Sequence, residues 1–144
     1  MKCIQMRLTE GDVTIAKEFA KDRVLLSLDQ YKKRGQNNID KIQSDITTGA
    51  LGEIAIYKLL KRFKKVDPPD FEIYEKKNKS WAPDFTDKDG YNYHCKSQSV
   101  ESARKYGHSY ILQYGGNGTG HKDKLFTHCT NRDFLIPCFV DIDN

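Results

Sequence analysis

In the stretch WAPDFTDKDGYNYHCKSQS, Trp81 to Ser99, an aspartate follows a proline, a short charged turn intervenes, and an alternating run carries His94, Cys95 and Lys96. Side chains alternate along a strand, so Asn92, His94 and Lys96 share one face and Tyr91, Tyr93 and Cys95 the other. The second face is the apolar one and is expected to meet the core. His94 and Lys96 then look toward a cleft or solvent. Asp84, carried by the preceding strand, and Glu53, on a helix packed against the sheet, are expected to reach the same spot. Such a set suits phosphodiester hydrolysis, which requires a divalent cation held by hard oxygens to polarise the phosphate and lower the pKa of a bound water. Asp84 is the expected ligand. Glu53 would bind through a water or hold a second ion, and the Cys95 backbone carbonyl offers a further oxygen. A lysine beside the nucleophile orients the water and offsets charge building on the phosphate.

These residues need elements to place them. Thr9 followed by Asp12 reads as a capping-box start, and Val13, Ala16, Phe19, Ala20, Val24 and Leu25 continue at helical spacing. That helix is expected to end before YKKRGQNN, a basic loop containing Gly35. A second helix starts near Asn38–Lys41. Ile39, Ile42, Ile46 and Ala50, then Ile54, Tyr57 and Leu60 or Leu51, Ala55 and Leu59, mark its buried side. TTGALGE lies inside it, and glycines there cost about 1 kcal/mol each. Either close approach to a sheet offsets that cost, or the chain breaks at Thr47–Gly49 and restarts. After Pro68 and Pro69 the segments FEIY, APDFT, YNYHCKS, SYILQY and FLIPCFVDI read as strands, with a hairpin at Lys88–Gly90 and a short helix over Val100–Gly107. The order predicts a mixed α/β domain spanning residues 1–144, its N-terminal helical portion covering about 9–65.

From Gly49 to Ser99 the chain resembles the PD-(D/E)XK nuclease superfamily. Pro83-Asp84 matches the PD, Lys96 the lysine, and Glu53 in GALGE the glutamate often carried on the first core helix. Gln98 is similar to a polar residue that some branches place at the edge of the active site. The resemblance implies a restriction-endonuclease-like fold, a central mixed β-sheet flanked by α-helices, and metal-dependent cutting of DNA with Mg²⁺. His94 stands where the family has an acid. Three readings stay open: a neutral imidazole ligand, which suits Mn²⁺ better than Mg²⁺; a contact to a phosphate or to the attacking water; or lost activity.

The 144 residues include 38% hydrophobic, 31% charged and 11% aromatic side chains, enough for one folded core, and the net charge of +4 is compatible with a polyanionic partner. Cys3, Cys95, Cys129 and Cys138 form no C-x-x-C pair and are expected as reduced thiols of a cytosolic protein, since MKCIQMRL lacks the apolar stretch of a signal peptide. No apolar run approaches spanning length, so no membrane partner is expected. Lys32, Lys33, Arg34 and Gln36, with Lys105, are the expected DNA contacts. A homodimer would supply the two sites needed to cut both strands, and the lack of a separate reader domain suits a phage or mobile-element enzyme. YGGNGTGHK has P-loop glycine spacing but His121 in place of the lysine, and reads as a turn. Two other classes remain: an inactive DNA-binding module on the same fold, and a protein-binding inhibitor or assembly factor.

Overall fold

The structure, a computed structural model, describes residues 4–33, 35–73, 82–108 and 129–142. It is an α/β arrangement in which a central helix carries a second helix on one side and a small mixed sheet on the other. The first helix, α1 (Glu10–Lys32), is closed by the predicted capping box: Asp12 accepts from the Thr9 N–H at 2.7 Å, and Thr9 Oγ1 accepts from the Asp12 N–H at 3.3 Å. It buries Ala16, Ala20, Val24 and Ser27, a stripe of mostly small residues that suits close helix packing. Leu25 is 69% exposed, one residue past that stripe. The helix outruns its predicted end by two residues. It closes around Gly35, whose φ of 79° suits glycine, with the Gly35 N–H on the Lys32 carbonyl and the Gln36 N–H on the Tyr31 carbonyl, both at 2.9 Å.

The central helix, α2 (Ile39–Leu60), starts at Asn38, whose side chain accepts from the Lys41 N–H at 3.0 Å. It does not break at Thr47–Gly49. Both threonines are buried with their hydroxyls donated to the carbonyls of Gln43 and Ser44, so neither leaves an unmet polar group. Of the two glycines, Gly52 is the one under pressure: a Cβ there would stand 1.9 Å from Ser97 Oγ and 2.7 Å from Cys138 Sγ. A Cβ at Gly49 would meet nothing within 4 Å. Asp12, already capping α1, also pairs with Lys58 and so ties α1 to α2.

The sheet has the order β1 (Phe85–Thr86), β2 (Asn92–Ser99), β3 (Asp133–Val140), with β1 antiparallel and β3 parallel to β2. Asn92 faces Asp133 and Ser99 faces Val140 in register. Between β2 and β3 comes α3 (Val100–Tyr106), capped by Ser99 and followed by Gly107 at φ 73°. Ala16, Ala50, Leu51, Ile54 and Val140 form one buried cluster, and Ile56, Phe85 and Tyr93 a second, so α2 contributes to both. Tyr93 and Cys95 meet this core, as the alternation predicts.

The buried Asp87 carboxylate organises the β1–β2 turn. One oxygen accepts from the Asp89 N–H at 2.9 Å and the Tyr91 N–H at 3.0 Å; the other accepts from the Tyr93 hydroxyl at 2.9 Å, with Lys64 Nζ at 3.3 Å. Burial pushes its pKa up, but these donors and Lys64 outweigh it and the net shift is downward. Gly90, at φ 79°, completes the predicted hairpin.

Three expected strands differ. Phe71–Ile73 is not a strand; Asp70 accepts from the Glu72 N–H at 3.0 Å, and the Phe71 ring packs on Phe19 at 4.9 Å. The APDFT strand shrinks to Phe85–Thr86, and Tyr91 precedes β2 rather than joining it. SYILQY, YGGNGTGHK, Trp81 and Arg34 lie outside the described residues. No helix among the described residues is long and apolar enough to cross a membrane.

Two alanine substitutions test how tightly α2 is seated. Gly52→Ala should lower stability by about 1–3 kcal/mol through overpacking. Gly49→Ala should raise it by roughly 0.5–1 kcal/mol through helix propensity. Urea midpoints measure both, and equal midpoints would mean that α2 does not press on the sheet.

Candidate active site

Asp84 sits just before β1. Its N–H donates to the Tyr93 carbonyl at 3.0 Å, although the register partner of Tyr93 is Phe85. The pairing of β1 with β2 ends at Phe85, so Asp84 lies just outside the strand and its side chain is not held to one face of the sheet. Here the side chain turns along β2, and Asp84 Oδ2 accepts the Cys95 N–H at 2.6 Å. The side chain stays open to solvent on one side while protein crowds the other. Crowding pushes the carboxyl pKa up; the Cys95 N–H and the charges of His94 and Lys96 pull it back without cancelling the rise.

Glu53 follows Gly52 on α2 and is half-buried. Contact of Gly52 with Ser97 and Cys138 fixes where that carboxylate stands. The Cys95 thiol is pushed far up, first by burial, then by the negative charges of Asp84 and Glu53, so both carboxylates bear on one half-buried group. Lys96 comes from elsewhere. Tyr93 and Cys95 face α2, so alternation turns His94, Lys96 and Gln98 to the other side of β2. Asp84, at the strand edge, is where the two sets meet: Lys96 and His94 act on it, and it shares Cys95 with Glu53.

His94 does not look into solvent. It is 9% exposed, and its Nε2 lies 2.9 Å from Asp133 Oδ1. Asp133 also accepts from Asn92 Nδ2 at 3.2 Å, from the Thr130 N–H at 2.8 Å and from Thr130 Oγ1 at 2.7 Å. Its pKa falls well below the usual carboxylate range, first through His94, then through Thr130. Sequence reasoning missed Asp133, because only the parallel register of β3 brings it to His94. Gln98 is buried, and its amide donates to the Gly107 carbonyl at 3.0 Å and reaches Ser102 Oγ at 3.4 Å, fastening α3 to β2.

The expected DNA contacts divide. Lys32 and Lys33 are exposed at the end of α1, whereas Gln36 is half-buried and shapes the turn by accepting the Asn38 N–H at 3.0 Å. This connection lies about 20 Å along α2 from Glu53 at helical rise. Lys105 is exposed on α3, its ammonium 5.0 Å from the Tyr106 ring.

Among the described residues, no three His, Cys, Asp or Glu side chains group closely enough to hold a metal ion. A magnesium ion requires less from the protein, one or two carboxylates, with waters and substrate phosphates filling its other positions. Glu53, Asp84 and the Cys95 carbonyl are hard oxygen donors of that kind. Comparison with protein-family models, with curated proteins and with solved structures finds no match for this chain.

The opposite shifts of Asp84 and Asp87 give a stability test. A raised folded pKa means the protonated form favours folding, and that contribution is lost as pH rises through the folded value. Asp84→Asn should therefore raise the urea midpoint at pH 7, with the gain fading below the ordinary carboxylate range. Asp87 is lowered, so its contribution is present above that range and lost as pH falls through the folded value; Asp87→Asn should lower the midpoint at pH 7. Urea titrations across pH 3–7 read both.

Proposed function

We propose that this protein is a divalent-metal-dependent endonuclease that hydrolyses DNA phosphodiester bonds, on a restriction-endonuclease-like version of its α/β fold. The observation that carries the reading is the placement of Asp84 where the pairing of β1 with β2 ends. It sets a carboxylate at the edge of β2, where Lys96 and His94 act on it and Glu53 shares its neighbour Cys95. Perturbed carboxylates gather at catalytic sites more than elsewhere. The mixed sheet with helices packed on it supports the architecture.

In this reading Asp84 and Glu53, with the Cys95 carbonyl, would hold Mg²⁺ or Mn²⁺. Once bound, the ion supplies a polarised phosphate and a more acidic water. The chain's own groups do the rest. Lys96 orients the attacking water for in-line approach and offsets charge on the phosphate. Gln98 keeps β2 and α3 together, a supporting part rather than a contact with substrate. Lys32, Lys33 and Lys105 would meet phosphates away from the cut, and a homodimer would present two sites to a duplex.

Supercoiled plasmid with Mg²⁺, Mn²⁺ or EDTA tests this directly. Wild type should nick or linearise it only with metal. Asp84→Ala and Lys96→Ala should each slow cutting by about 100-fold or more. DNA binding that persists in EDTA, with no cutting under any ion, would mark a binding module instead.

A further inference from the structure

We propose that the turn following α2 is a docking surface for an unpaired DNA strand: a base stacks on Phe63, and Lys61, Arg62 and Lys65 meet the phosphates. The choice of DNA rests on the nuclease reading above; the surface itself does not.

In KRFKK, residues 61–65, one aromatic ring stands among four cations. Phenylalanine is ordinarily an inside residue, yet Phe63 is 77% exposed. The backbone holds it there. The Arg62 N–H donates to the Leu59 carbonyl at 3.2 Å, and the Phe63 and Lys64 N–H groups donate to the Leu60 carbonyl at 2.9 and 2.8 Å. Val66 then forms an antiparallel bridge with Asp87 and packs on the cluster of Ile56, Phe85 and Tyr93. The turn is thus fixed at both ends, with the ring turned outward between them. One exposed apolar side chain is common on a protein surface; its flanks decide what it suits. Lys61, Arg62 and Lys65 are all exposed. An apolar partner covering Phe63 would have to bury those charges without compensation. A nucleic-acid strand offers a flat face to the ring and phosphates to the cations, the combination by which single strands are held.

The remaining lysine of the run has a different task. Lys64 pairs with Asp87 at 3.3 Å and Asp89 at 3.1 Å, and its ammonium lies 5.4 Å from the Tyr91 ring. The Arg132 guanidinium lies 5.6 Å from the same ring, with Nη1 donating to the Asp89 carbonyl at 3.0 Å. Tyr91 therefore gathers the turn after α2, the β1–β2 turn and the residue before β3 at one end of the molecule. Lys64 meets both acids of the β1–β2 turn, and Asp67, exposed nearby in sequence, is outnumbered by Lys61, Arg62 and Lys65. Lys61 stands about 12 Å along α2 from Glu53 at helical rise, which is about three or four nucleotides of strand. A strand leaving the cut reaches this end before the connection between α1 and α2. It must be unpaired here, because bases stacked within a duplex present no face to a ring.

The test is fluorescence anisotropy of labelled oligothymidylate, about 12 nucleotides long, with the full chain in EDTA. Wild type should bind it more tightly than a duplex of the same length. Phe63→Ala should weaken binding about 10-fold with an unchanged urea midpoint, because so exposed a ring adds little to folding, and Phe63→Tyr should restore it. Arg62→Ala and Lys65→Ala should each reduce the slope of log affinity against log salt by about 0.7. Equal affinity of wild type and Phe63→Ala, or tighter binding of the duplex, would overturn the proposal. So would binding to phosphatidylserine vesicles without binding to the oligomer, which would assign the face to a membrane. Oligouridylate bound more tightly than oligothymidylate would overturn the choice of DNA. A wild type that binds as expected but cuts no plasmid with any metal would leave this surface standing and remove the nuclease reading. One that cuts, while Phe63→Ala binds undiminished, would do the reverse.

Discussion

The absence of a side chain at Gly52 is the constraint on which the site depends. A methyl group there would overlap Ser97 and Cys138, residues of two different strands. The helix therefore lies against the seam between β2 and β3. That seating fixes the height of Glu53 above Cys95 and directs Leu51 and Ile54 into the cluster shared with α1 and β3. Without it, the helix would sit farther out, and a carboxylate on its next residue would lose its relation to the strand edge. The energetic cost of glycine in a helix is the cost of that approach.

The second fixed point is Asp87. A buried carboxylate that meets backbone N–H groups, a tyrosine hydroxyl and a lysine leaves no unmet acceptor, so it holds a tight turn in a place where an unpaired charge would be costly. Because this turn sets the register of β1 on β2, it also sets the residue at which the pairing gives way. That residue is Asp84. Asp87 and Asp84 thus stand three positions apart in one short hairpin, one lowered and one raised in pKa by the balance of donors against burial.

Much of this was legible in the sequence because it is local. The capping box at Thr9, the Asn38 start, the Lys88–Gly90 hairpin, the α3 helix and the alternation in β2 each depend on neighbours within a few residues. The continuity of α2 through TTGALGE was not decided by propensity; it follows from hydroxyls turned back onto the helix and from a sheet pressed on Gly52. Alternation alone placed Tyr93 and Cys95 in the core but left His94 looking outward. What hides His94 is Asp133, and no local pattern announces a partner on a parallel strand. The same limit applies to Gln98, whose amide is occupied by a carbonyl beyond the next helix.

The parallel pairing of β2 with β3 has a consequence for how the protein acquires its site. Asp84 and Cys95 are joined across a tight turn, a contact that a chain can close in microseconds. His94 and Asp133 belong to strands joined by a long crossover, and the entropy of closing that loop must be met before their contact returns anything. The Asp84 carboxylate is thus placed by the fastest part of the chain. The histidine beside it is oriented only when the last strand docks, so that the imidazole acquires its direction together with the completed sheet.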